Sequence, residues 1–138
     1  MKAFLKALVY IWQLPQNLVA LVLLAYYNDA MKKDLSDDAD ISLYITAKMP
    51  SGVSLGNYII LNSTYSEDID SLNHELGHCI QSRLLGWLYL PLIGFPSLFG
   101  NIYDRLFHKG WDYNKAVKWY YSQPWEKWAD KLGGVRRE

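Results

Sequence analysis

The chain has 138 residues, long enough for one domain with a core of its own. Its 14 basic and 14 acidic residues cancel, leaving no nucleic-acid footprint. A single cysteine, Cys79, excludes an internal disulfide and fits a reducing compartment.

Residues 3–27 are strongly apolar and follow Lys2, with Lys6 near their start. A bilayer span needs about 20 nearly continuous apolar residues. Here Gln13-Leu14-Pro15-Gln16-Asn17 interrupts the run, and no small-residue cleavage site follows it. The segment therefore reads as two helices broken at Pro15. Such a pair either covers the core of the domain or lies in a membrane interface. The first is the preferred expectation, so the chain reads as cytoplasmic or membrane-associated. The acidic run Asp34, Asp37, Asp38 and Asp40 reads as a solvated loop without calcium-loop spacing.

Ile41, Leu43, Ile45 and Ala47 alternate with Ser42, Tyr44, Thr46 and Lys48, the period of a strand. Met49-Pro50-Ser51-Gly52 reads as a turn, and Val53 to Leu61 as the returning strand of an antiparallel hairpin. Next, Ile69, Leu72, Leu76, Ile80 and Leu84 recur at spacings of three and four, one apolar helical stripe. Ser66, Glu67, Asp68 and Asp70 supply a capping oxygen and first-turn acids, and Gly86 a stop.

That helix carries His74-Glu75-Leu76-Gly77-His78, an instance of HExxH. Residues four apart share a helix face, so two imidazoles can grip one metal ion. Glu75, beside the first histidine, is placed to reach a water at the metal without being a ligand. A catalytic zinc needs three protein ligands and one open position. Cys79 points about 100° away round the helix and reads as core filler.

Residues 84–100 hold no charge but contain two prolines and three glycines. They read as an irregular buried connection packed on the N-terminal helices, or as a membrane-dipping surface; the first is preferred. The last motif is Glu126-Lys127-Trp128-Ala129-Asp130. Ser122 or Gln123 caps a short helix there, Pro124 suits its first turn, and Gly133-Gly134 ends it. Glu126 and Asp130 share a face, and Ala129 lets that face approach another helix. Glu126 then supplies a third ligand, and Asp130 a hydrogen bond to the far nitrogen of a ligating histidine.

HELGH at 74–78 with EKWAD at 126–130 resembles the gluzincins, the thermolysin-like metallopeptidases. Their pattern is HExxH on one helix and a ligating Glu on a later one. The resemblance covers residues 40–134, and the short chain resembles the single-domain minigluzincins. It implies His74, His78 and Glu126 as zinc ligands, Glu75 as general base and Asp130 behind the ligands. The stretch HELGHCIQSRLLGWLYLPLIGFPSL also resembles small bacterial proteins with HExGHxxQ, which implies no activity. One departure stands: larger gluzincins take an oxyanion-stabilising Tyr or His from a later domain. Only eight residues follow Asp130 here, none of them Tyr or His. Tyr120, Tyr121 and His108 are the candidate donors.

The expectation is one α+β, minimal zincin-like domain over residues 1–138, helix-rich, with a small antiparallel hairpin or sheet beside the HExxH helix. Residues 1–30 form its apolar helical segment. The expected activity is zinc-dependent hydrolysis of a peptide or protein substrate. The alternative is a noncatalytic zinc-binding module that binds protein or membrane, through 3–27 and 84–100 in the latter case. A third reading has the N-terminal helices occluding a latent enzyme.

Overall fold

The computed structural model describes residues 2–35 and 40–137. Asp37 and Asp38 of the acidic run lie outside the described residues; Asp40 pairs with Lys6 at 2.6 Å. The fold is α+β: helices surround a small four-stranded sheet.

Two helices open the chain, α1 (Lys2–Trp12) and α2 (Leu14–Tyr26), bent by 82° at the break. Pro15 stands in the first turn of α2, where its missing N–H costs nothing. Four strands follow: β1 (Met31–Lys33), β2 (Ser42–Thr46), β3 (Gly52–Leu55) and β4 (Tyr58–Asn62). The sheet order is β1-β2-β4-β3, mixed rather than purely antiparallel. The tight hairpin joins β3 to β4, not residues 41–47 to 53–61, and β2 runs parallel to β4 with Leu43 beside Ile59. Gly56 causes the difference. Its φ of +64° supports a turn in the middle of the expected second strand.

Helix α3 (Ile69–Leu85) is capped by Asp68, whose side chain accepts from the Asp70 N–H, and ends at Gly86. Residues 86–94 continue in helical turns into α4 (Phe95–Phe107), so 84–100 is mostly helical rather than irregular. Prolines 91 and 96 are accommodated because each lies in the first turn of its segment. Then come α5 (Tyr113–Tyr121) and α6 (Pro124–Gly133).

Leu43, Ile59, Leu61 and Cys79 form one buried cluster between sheet and α3, joined by Leu72 and Leu76. Ala20, Leu55, Tyr89 and Ile93 form another, flanked by Trp125 and Trp128. The apolar stripe read on α3 does not turn inward as a whole: Ile69, Ile80 and Leu84 are exposed. The buried residues of α3 are instead His74, Glu75, Gly77, His78, Cys79, Gln81 and Ser82. Helix α6 lies across that polar face. A Cβ on Gly77 would overlap the Ala129 carbonyl, so the glycine of HELGH and the alanine of EKWAD set how closely the helices meet.

Candidate metal centre

The close crossing of α3 and α6 brings His74, His78 and Glu126 together, all three buried. His74 Nε2 and His78 Nε2 are 3.1 Å apart, and Glu126 Oε2 is 3.1 Å from each. Zinc bonds of about 2.0–2.1 Å at tetrahedral angles separate neighbouring donors by about 3.3 Å. The triangle therefore has the size such an ion requires.

The outer nitrogens decide what the inner ones can do. His74 Nδ1 lies 2.7 Å from Asp130 Oδ1. His78 Nδ1 lies 2.7 Å from Gln81 Oε1, while the same amide donates from Nε2 to the Trp125 carbonyl. Both partners are acceptors, so each Nδ1 carries a hydrogen and each Nε2, once it has no proton of its own, turns a lone pair inward. With Glu126 Oε2 that makes three converging acceptors, a donor set that a cation satisfies.

The surrounding acceptors favour positive charge at this point, whether a metal ion or a proton on His74. Burial works against charge on His74, but hydrogen bonds to Asp130 and Glu126 outweigh it and raise its pKa to about 9. Burial opposes charge on Glu126 too, yet His74 and His78 hold its carboxyl far below the usual range. Asp130 is lowered likewise against burial, by His74 and by Arg137, whose Nε donates to Oδ2 at 2.7 Å.

Glu75 is buried on the same helix, its Oε2 accepting from the Ser54 hydroxyl at 2.6 Å. Ser54 sits on β3, the edge strand. Asn62 N–H bonds the Ser51 carbonyl, so antiparallel alternation leaves the Gly52 and Ser54 main chain facing outward from β4. There the Tyr89 hydroxyl donates to the Ser54 carbonyl at 2.9 Å. A groove of about 1120 Å³ reaches Tyr121 and Asp130 and is lined by none of His74, His78 and Glu126.

Of the candidate oxyanion donors, Tyr120 hydrogen-bonds Ser97 Oγ at 3.0 Å, and Ser97 donates to Glu126 Oε1 at 2.5 Å. Tyr121 sets its ring edge-to-face against His74, at 5.1 Å between centroids, beneath the Arg137 guanidinium. Burial pushes the Tyr121 phenol up to about 12, and Tyr120 higher still. His108 is not brought to this group. Its ring stacks on Trp111, and its Nδ1 pairs with Asp104 at 2.6 Å. Cys79 is buried, its thiol pushed up to about 12 by desolvation.

Sequence reasoning gave no role to Gln81, Ser97, Ser54 or Arg137. Gln81 was within reach, one helical turn beyond His78 and on its face. Ser97 and Ser54 lie 29 and 21 residues from the carboxylates they bond, with no spacing rule to link them; Arg137 lies just past the end of α6, where the helical spacing that relates Glu126 to Asp130 no longer applies. Comparison with known proteins finds no matching family model, curated protein or solved structure.

Proposed function

We propose that this protein is a zinc-dependent metallopeptidase, with His74, His78 and Glu126 as ligands. The observation that carries the reading is the convergence of three buried acceptors whose outer atoms are already engaged. Zinc held there supplies a Lewis acid for a peptide carbonyl and for water. Glu75 takes the proton of the attacking water and passes it to the leaving amine. Ser54 holds the Glu75 carboxylate by the hydrogen bond at 2.6 Å and can follow it between ionised and protonated forms. Asp130 and Gln81 fix the histidine rings. Edge strand β3 is the element to which an extended peptide would add.

One observation favours the second reading, a zinc-binding module without turnover. His74, His78, Glu75 and Glu126 are all buried, and Tyr89 engages the outer edge of β3. Glu75→Gln separates the two. The metallopeptidase reading expects full zinc content and a loss of peptide hydrolysis of about 10²–10⁴-fold, the usual range for a lost general base. Wild type and variant equally inert toward a broad peptide library would support the module.

A further inference from the structure

The N-terminal and middle apolar segments sort their side chains in reverse. On α2 and the residue before it, the buried residues are Gln13, Gln16, Asn17 and Ala20, three of the four polar. Gln16 donates to Ser82 Oγ at 2.9 Å and to the Gly86 carbonyl at 2.8 Å, and Asn17 accepts from the Asn57 N–H at 2.8 Å. Leu18, Val19, Leu21 and Val22 face outward. Helix α4 repeats the arrangement. Phe95, Leu98, Phe99, Ile102 and Leu106, at spacings of three and four, are exposed. Ser97, Asn101, Asp104 and His108, at the same spacings, are partly covered, as are Pro96 and Gly100.

The two surfaces adjoin. Trp12 donates its indole N–H to the Arg83 carbonyl, and Trp87 donates to the Ile11 carbonyl, at 2.9 and 3.1 Å. Both indoles are half-exposed with their N–H groups already satisfied, so the rings can leave water without cost to a donor. Residues 7–28 and 84–103 carry no charge. Exposed Lys2, Lys6, Arg83, Arg105 and Lys109 lie at or near the ends of these stretches; of the two acids that also flank them, Asp29 is bonded to Thr46 and Ala47 and Asp104 to His108.

We propose that α1, α2 and α4 form one face that lies in a lipid bilayer without crossing it. Polar-in, apolar-out sorting on two separate helices is stabilising when the outer surroundings are apolar, and two long uncharged stretches side by side suit hydrocarbon. Helices of 11 and 13 residues extend about 17 and 20 Å at 1.5 Å per residue, short of a core about 30 Å thick. Together α1 and α2 are long and apolar enough to span, but their 82° bend keeps them in a wedge within one leaflet. The basic border suits lipid phosphates.

Flotation of the full chain on phosphatidylcholine–phosphatidylglycerol vesicles tests this, against Val22→Glu combined with Leu98→Glu. The wild type is expected to float with the vesicles even at high salt. The double variant should lose vesicle binding by at least about tenfold, roughly the 1.4 kcal/mol that two lost apolar contacts exceed, while keeping its circular dichroism and zinc content. Should the variant not fold, tryptophan quenching of the wild type by lipids brominated on the acyl chain gives the same answer, with quenching expected. A wild type that stays at the bottom of the gradient and is unquenched overturns the proposal. So does a dimer, stable in buffer and indifferent to vesicles, that the two substitutions dissolve. Zinc content reads the metal site separately, so failure of one reading leaves the other standing.

Discussion

Between α3 and α6 the protein buries two histidines, two glutamates and an aspartate; along α1, α2 and α4 it turns leucine, valine and phenylalanine outward. Each region breaks the usual sorting, in opposite directions and for different reasons. In the interior the outer atoms of His74, His78 and Glu126 each have a partner, and the inner atoms converge on one point. Such a set is costly to bury and is retained when a cation completes it. On the exterior, polar side chains of α2 anchor that helix to the domain, which leaves a mainly apolar surface facing away. The reverse sorting inside is what the proposed metal site rests on; the reverse sorting outside is what the proposed bilayer face rests on.

The largest effects are expected at the interior. Asp130→Ala and Gln81→Ala each release a histidine ring from its outer hydrogen bond. Zinc affinity should fall about 10–100-fold in each, measured by competition with a chelator, without loss of folding. Unchanged affinity in both would mean that the rings are held by packing alone. Gly77→Ala attacks the helix crossing directly. The added Cβ meets the Ala129 carbonyl, which is backbone and cannot swing aside. A stability loss of about 1–3 kcal/mol is expected in denaturant titration, together with weaker zinc binding.

The next comparison sets the two faces of α2 against each other in detergent-free buffer. Gln16→Ala leaves the Gly86 carbonyl and the Ser82 hydroxyl without their buried partner and should cost about 1–3 kcal/mol. Val22→Ser, on the outer face, should change stability by less than about 0.5 kcal/mol. A larger loss at Val22 than at Gln16 would show that the apolar face is already covered by protein.

A pH series sharpens the account of the interior. With zinc removed by a chelator, His74 carries a pKa raised from 6.5 to about 9. A raised folded-state value contributes stability that is complete below pH 6.5 and is lost as pH climbs through about 9. The stripped protein should therefore weaken over that window. Zinc needs the same histidine without its proton, so zinc affinity should rise over the same window. Thermal melts with and without zinc, pH by pH, check this: the stripped protein should lose stability across the window while the zinc-bound protein holds level, and equal slopes would contradict the shared role of His74.

Much of this was legible in the sequence where short-range rules apply. HELGH and EKWAD each occupy one helical turn, and the helix ends at Asp68, Gly86 and Gly134 follow from capping chemistry. The break near Pro15 was legible for the same reason. What failed depended on which way a helix faces. The stripe Ile69–Leu84 has the period of a core helix, yet α6 claims the polar side of α3 instead, and Ile80 and Leu84 are left outside. Periodicity gives the face but not its direction, because it assumes water outside. The strand pairing failed for a related reason: a parallel neighbour such as β4 for β2 is set by the whole sheet, not by a local turn. Ser97 and Ser54 were invisible because nothing in their local sequence points toward a carboxylate 29 or 21 residues away.

On the reading proposed above, the crossing of α3 and α6 serves to hold one metal ion. Metal analysis of the purified full-length chain after dialysis against trace zinc, beside Glu126→Ala prepared in parallel, tests it most directly. One zinc per wild-type chain is expected, and substantially less in the variant. A wild type that binds no zinc, or a Glu126→Ala chain that retains it in full, would contradict it.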